Sequence, residues 1–331
     1  MPRKVFLLRF SSLGDVVLTS ALVEPLVEAG FSPVLITYAP YGSLFEEDRR
    51  LKVVEIPKEH LRGAKGIIST ARELSLLSPY AVIDLHANPK SLLLSGLIPA
   101  EVKVKYRKHS LRRRICVLLN RFGLAKGLKE KPLDVLELYA ETLKGLGIDI
   151  EKPRPRIELN EKRTPEVLER FGLSPGGYIV LGIGARYRSK AYPRFRELAT
   201  FLTDRGFKVV LVGDRKDYET SKDWKKVVNL CGKLSLNESL HIMRGALLFA
   251  GNDSGATHMA RAVGTKVLVI YGGTHPCLGF APHPDEGKVI FKNLPCSPCH
   301  IHGTNSCSRD FECLDIPPSQ LGNEILKMVS E

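Results

Sequence analysis

Two short turns carry the residues best suited to chemistry. The stretch GNDSGATH, Gly251–His258, follows the apolar run Ala246–Gly251, and ATHMARAVG then repeats Ala256, Met259, Ala260 and Val263 at helical spacing before Gly264. Asn252, Asp253, Ser254, Gly255 and His258 therefore fall where a strand's carboxyl end meets a helix's amino end. There the first backbone N–H groups lack partners and the helix dipole favours negative charge, so a phosphate-bearing ligand suits the turn. Gly255 lets a ligand approach the backbone. An ordinary cap by Asp253 or Ser254 is the competing reading. SSLGD, with Ser11, Ser12, Gly14 and Asp15, ends the first apolar run in the same way. Asp15 is there either a carboxylate base or a charge on the first helical turn.

Three further stretches are rich in functional groups. In GIGARYRSKAYP, Gly182–Pro193, the cations Arg186, Arg188 and Lys190 follow Gly184. They could hold a diphosphate or form an exposed basic loop. Between Glu101 and Lys131 eleven Lys or Arg stand against two Glu, and the run includes Arg107, Lys108, Arg112, Arg113 and Arg114. Such a run is either a solvated face or a dock for a phosphate-rich acceptor or an anionic bilayer. Without a recognition helix, RNP motif or aromatic interleaving, nucleic acid is not an expected partner. Cys296, Cys299, Cys307 and Cys313 form C-x2-C-x7-C-x5-C. That spacing suits a structural zinc or iron site, with disulfides or free thiols as the rival.

These residues need a scaffold, and the rest of the chain supplies one. With 331 residues, 44% hydrophobic and 26% charged, the composition is that of a globular protein with two sizeable cores. A net charge of +13 favours anionic ligands. Apolar strands at Lys4–Phe10, Pro33–Ala39, Val53–Ile56, Tyr80–His86 and Val102–Tyr106 alternate with helices, which implies a parallel sheet. Pro25 should bend the helix that follows the first strand. The proline- and charge-rich stretch Glu151–Pro165 reads as a linker, after which strands at Tyr178–Ala185, Phe207–Asp214, Val227–Gly232, Ala246–Gly251 and Lys266–Gly272 restart the pattern. The expected domains are 1–155 and 156–331, two doubly wound α/β domains facing a cleft. Arg9 and Asp15 break the first apolar stretch, so it reads as a strand and not a leader. No run reaches the roughly 18 apolar residues of a membrane span. A cytoplasmic protein with at most peripheral contact with the inner membrane is expected.

Taken together and in this order, SSLGDVVLTSALVEPL, K-x-Y-P (Lys190–Pro193) and GNDSGATHMARAVGTKVLVIYGGTHP resemble glycosyltransferase family 9, the ADP-heptose:lipopolysaccharide heptosyltransferases. CSPC with two later cysteines looks like members resembling heptosyltransferase II. The resemblance implies the GT-B architecture of two Rossmann-like domains, the first binding the acceptor and the second binding ADP-heptose. It implies inverting transfer of heptose to a lipopolysaccharide inner-core acceptor, with no cofactor required. Asp15 matches the base position, Lys190 the lysine on the donor, and Asp253, Ser254, Gly255 and His258 the D-[ST]-G-x-x-H donor motif. Lys90 resembles a family lysine near the substrates. Asn237 stands where the family often has a ribose-binding glutamate, with Glu238 next to it. The alternatives are another nucleotide-sugar transferase or epimerase on the same fold, or a non-catalytic anion- or nucleic-acid-binding protein.

Overall fold

The alternating apolar runs build two parallel sheets, one in each of two compact units. The computed structural model describes residues 2–330. The first unit comprises Met1–Lys108 and Val135–Asn160, and the second His109–Asp134 and Glu161–Glu331. In the first unit lie β1 (Arg3–Leu8), β2 (Phe31–Tyr38), β3 (Lys52–Ile56), β4 (Ala81–Asp84) and β5 (Val102–Lys105). Their order is β3-β2-β1-β4-β5, all parallel. In the second unit lie β6 (Tyr178–Gly182), β7 (Lys208–Val212), β8 (Val227–Asn229), β9 (Leu248–Asn252), β10 (Val267–Tyr271) and β11 (Gly287–Phe291). Their order is β11-β10-β9-β6-β7-β8, again all parallel.

Both orders are doubly wound. The crossover direction reverses between β1 and β4 in one unit and between β6 and β9 in the other. Open α/β sheets bind ligands at the strand carboxyl ends of such switch points. The central strands β6, β9 and β10 are buried at every residue, as expected of strands covered by helices on both faces. Gly182 and Gly251 are register partners, and a Cβ on either would strike the Phe249 ring at 2.4 or 2.7 Å. Those two glycines give the large ring room where β6 and β9 meet.

Four features differ from the sequence reading. The single helix expected after β1 is a helix at Leu13–Leu18, a 3-10 turn at Thr19–Leu22 and a second helix at Val23–Glu28. Pro25 has no N–H for the Ala21 carbonyl and its ring crowds that carbonyl, so the break falls one turn ahead of it. Thr19 and Ser20 each donate their hydroxyl to the carbonyl three residues back, at 2.6 and 2.7 Å. The expected linker runs into a helix at Arg163–Arg170, and the half-buried edge strand β11 has no counterpart in the sequence reading.

The fourth difference concerns the domain boundary at 155. Residues 109–134 group with the second unit. Cys116 and Ala125 pack with Cys277 and Leu278, Leu133 N–H donates to the Cys277 carbonyl at 3.1 Å, and Asn120 Nδ2 donates to the Pro298 carbonyl at 3.3 Å. The basic run is thereby divided: Arg107 and Lys108 lie in the first unit, Arg112–Arg114 in the second.

Candidate functional site

In the second unit the polar groups gather at the ends of β6, β9 and β10. Lys190 Nζ lies 2.8 Å from Asp253 Oδ2, with the two side chains 17% and 10% exposed. Thr274 Oγ1 donates to the same oxygen at 2.8 Å. Burial pushes the Asp253 carboxyl up, but Lys190 outweighs it and holds the group below the usual carboxylate range. The next two residues begin the helix Gly255–Ala262. Ser254 is its extended N-cap and makes no side-chain capping bond, which argues against the capping reading. The first-turn N–H groups beside the Lys190–Asp253 pair thus have no side-chain acceptor from the cap, and an anion fits them.

His258 lies one turn into that helix and is buried, with Nδ1 3.2 Å from Arg261 Nη1. A guanidinium only donates, so Nδ1 accepts, and in the neutral ring the proton sits on Nε2. Arg261 is itself clamped by Glu286, at 3.2 Å from Nε and 2.7 Å from Nη2. Neither Arg261, Glu286 nor Thr274 stood out in the sequence as functional. Thr274 lies in the GGTHP end of the long motif, whereas Glu286 comes from a loop whose sequence carries no signal.

The lysine loop is held from two sides. Asn252 accepts from Tyr192 N–H at 3.0 Å and donates to the Ile183 and Gly184 carbonyls at 3.1 and 3.2 Å. Both amide protons are taken and the side chain is fully buried, so Asn252 ties the β6 turn to the lysine loop. From the other side comes the cysteine loop. Ser189 N–H donates to the Thr304 carbonyl at 3.0 Å, Thr304 N–H donates to Ser189 Oγ at 2.8 Å, and Ser297 Oγ donates to the Gly272 and Thr274 carbonyls at 3.1 Å each. The cysteine segment, distant in sequence, therefore buttresses both Lys190 and Thr274.

Several expected donor residues are placed otherwise. Arg186 and Arg188 are exposed and lie over the rings of Tyr187 and Phe311, at 5.4 and 5.0 Å. Gly184 faces the Asp217 carboxylate, which a Cβ would meet at 2.3 Å, so its role is close packing. Glu238 accepts from the Ser235 N–H in a capping box and pairs with Arg170. Asn237 is buried with neither amide group hydrogen-bonded. The four clustered cysteines are free thiols. Burial, then Cys299, Cys307 and Cys296, push Cys313 up to about 11, so the four lie within electrostatic reach of one another. Among the described residues, no three His, Cys, Asp or Glu side chains converge closely enough to hold a metal ion as placed.

In the first unit the counterpart is the end of β1. Asp15 is the third residue of its helix and accepts from the Ser12 N–H at 3.2 Å and Ser12 Oγ at 2.7 Å. Arg9 Nη2 lies 2.7 Å from Asp15 Oδ2, while Arg9 Nη1 donates to the Leu85 carbonyl at 2.6 Å. Burial pushes the Asp15 carboxyl up, but Arg9 and Ser12 outweigh it and hold it below the usual range. The side chain keeps 19% exposure, so a substrate can reach it. Asp15 does complete a capping box, and the same carboxylate also has the access a base needs.

His86, at the end of β4, is the residue the sequence reading missed here. Burial, then Arg9 and Lys108, push it down to about 4, so it is neutral at pH 7. Its Nδ1 is buried without a hydrogen-bond partner. Asp84 fixes the turn that carries it, accepting from the His86 and Ala87 N–H groups at 3.0 and 2.8 Å. The signal was its position just after an apolar strand, where His in place of Asp or Ser drew no attention. Lys90 is exposed on the first turn of the helix Pro89–Leu97. Arg113 leaves the group expected to touch an acceptor: it is buried, donates from Nε to the Leu278 carbonyl at 3.0 Å and covers the Phe280 ring. Arg112 donates to the Lys131 carbonyl, while Arg107 and Arg114 remain exposed.

Comparison with known proteins places this geometry. The chain is 27% identical over 219 residues to lipooligosaccharide heptosyltransferase 2 of Haemophilus influenzae, covering 60% of this chain and 62% of that protein. The match therefore spans about three fifths of that relative's length. A namesake from Campylobacter jejuni is 25% identical over 305 residues, 89% of each chain. Among solved structures, E. coli ADP-heptose lps heptosyltransferase II superposes with a TM-score of 0.74 at 19% identity, over 99% of this chain and 98% of that one. This likeness shows the GT-B fold expected of two doubly wound units. The profile of Glycosyltransferase family 9 (heptosyltransferase) matches residues 69–306. With that match over most of its length, the chain belongs to glycosyltransferase family 9.

Proposed function

We propose that the protein is an inverting glycosyltransferase that moves heptose from ADP-heptose to a phosphorylated lipopolysaccharide inner-core acceptor. The observation that carries this reading is the Lys190–Asp253–Thr274 cluster beside the uncapped helix start at Ser254–Gly255, in a chain of this family. The family relatives named for heptose transfer support the donor sugar.

Two tasks define the reaction. Departure of ADP leaves negative charge on the diphosphate. Lys190 and the first-turn N–H groups stabilise it, since preorganised donors in a partly buried site act strongly on developing charge. His258, with Nδ1 taken by Arg261, donates from Nε2 to the same anion. The acceptor hydroxyl must lose a proton as it attacks, and Asp15, ionised at neutral pH, receives it. Arg9 and Ser12 orient that carboxylate, and neutral His86 supplies a hydrogen-bonding neighbour. One displacement inverts the anomeric carbon. On this reading the first unit contributes acceptor binding, with the exposed Arg107 and the adjacent Lys108 meeting its phosphates, and the second unit binds the nucleotide sugar. The lipid-borne acceptor would bring the protein to an anionic membrane surface. Among the described residues no helix is long and apolar enough to cross one.

Incubation with ADP-heptose and a panel of lipid A–Kdo and heptosylated acceptors, read by mass spectrometry, tests the reading. A mass gain of one heptose with release of ADP is expected, and no transfer to any acceptor overturns it. A second measurement addresses the donor turn. His258→Ala, which removes the Nε2 donor, should weaken ADP binding by about tenfold or more in calorimetry, the worth of a hydrogen bond to a charged group, and Asp253→Ala should weaken it through the Lys190 it no longer positions. Unchanged affinity in both folded variants removes the turn from the donor site.

The cysteine set suits a soft metal by its donor chemistry, four thiolates for zinc or iron. We infer that Cys296, Cys299, Cys307 and Cys313 bind one structural ion, which would stiffen the loop behind Lys190 and take no part in the transfer. Elemental analysis of protein purified without added metal should find one ion per chain. Metal-free protein in which none of the four thiols titrates makes the cluster disulfides instead.

A further inference from the structure

The helix Ser110–Asn120 buries one face and leaves an apolar face uncovered. At about 100° per residue, Arg113, Cys116 and Asn120 share one side, which is buried. Leu111, Ile115 and Leu118 share the opposite side, continued by Phe122 and Leu124 beyond the helix. These five are 71%, 38%, 52%, 71% and 69% exposed. A surface helix ordinarily turns polar residues outward, and a ridge of five large apolar side chains in fourteen residues marks an interaction surface. Cations flank it: Arg114, Arg121 and Lys126 are exposed, and no Asp or Glu occurs between Glu101 and Glu130. Apolar side chains flanked by cations with no acidic residue match an anionic bilayer, in which acyl chains take the ridge and headgroups the arginines. A second copy of this chain would bring an equally basic segment against this one.

We propose that Leu111, Ile115, Leu118, Phe122 and Leu124 form a membrane-insertion ridge that seats the second unit on an anionic lipid surface. The inference deepens the proposed use of a lipid-borne acceptor, yet its test needs no turnover. Wild-type protein is mixed with sedimentable vesicles of phosphatidylglycerol and phosphatidylcholine, and with phosphatidylcholine alone. Binding to the anionic vesicles is expected. The triple variant Leu111→Ser/Leu118→Ser/Phe122→Ser should bind them at least about tenfold more weakly, from the apolar area it no longer buries. Its melting temperature and ADP affinity should match the wild type, because all three side chains already face solvent. Equal vesicle binding by variant and wild type would show attraction by charge alone and overturn the ridge. So would absence of vesicle binding together with a wild-type dimer, seen by sedimentation velocity, that the triple variant dissolves. Loss of vesicle binding in the variant upholds the ridge even where heptose transfer fails, so the two proposals fall separately.

Discussion

Asp15→Asn should lower kcat by about 10²–10⁴, the usual cost of losing a positioned base, while ADP-heptose still binds. The substitution keeps the shape and can still accept from Ser12 and Arg9, but it cannot take a proton. Held low by Arg9 and Ser12 against its burial, the carboxyl is ionised at every pH above about 4. As the proposed base it would always be in its working form, and the pH–rate profile should show no acid limb from it near neutrality. The variant also leaves Arg9, buried with 8% side-chain exposure, without its counter-charge. Some stability is lost, and the sign of its pH dependence follows from the lowered pKa. The native contribution is present above the unfolded value of about 3.9 and disappears as pH falls through the folded value. The melting-temperature gap between wild type and variant should accordingly close below about pH 4. The capping role alone predicts near-normal turnover, because an Asn at this third helical position still accepts from the Ser12 N–H. Retention of more than about a tenth of wild-type kcat, a loss smaller than base removal causes, returns Asp15 to the helix cap.

What the sequence made legible here was the local part of the site. Strand-to-helix turns announce themselves by an apolar run, a polar break and a helical repeat, and Asp15, Asp253 and Lys190 all fell on such turns. The doubly wound fold was equally open to reading, since each strand of an α/β sheet is a separate apolar run. The errors lie where tertiary contacts override local pattern. Arg113 is one of three consecutive arginines and looked solvated, yet its neighbours at Leu278 and Phe280 are more than 160 residues away. Glu238 looked available for a ribose, but its carboxylate closes a capping box with Ser235 and pairs with Arg170. The edge strand Gly287–Phe291 is half-buried, so its apolar signal was too weak to stand out from the loop. The support of Lys190 by the cysteine loop joins segments about a hundred residues apart, a pairing no spacing rule reveals.

The lysine is the second residue whose loss should be felt most. Lys190→Ala should reduce kcat by about 10²–10³, comparable to removing one preorganised donor from a developing anion. It should also destabilise the protein, because Asp253, 10% exposed, keeps its charge and loses its partner. Breaking a buried pair in this way costs about 3 kcal/mol or more. The sign with pH is again fixed. In the wild type Lys190 holds Asp253 below the usual range, and that stabilisation is lost as pH falls through the low folded value. In the variant burial acts unopposed by the lysine and raises the carboxyl, so its penalty grows as pH rises above about 3.9. The melting-temperature deficit should be larger at pH 7 than at pH 4. Two roles for the lysine then separate in Lys190→Ala/Asp253→Asn. Both predict recovery of stability, since no unpaired buried charge remains. If Lys190 serves only to neutralise Asp253, turnover recovers with it. If its ammonium stabilises the departing diphosphate, the double variant regains its melting temperature and stays as slow as Lys190→Ala. The second outcome is expected, because the ammonium stands beside the uncapped helix start where an anion fits.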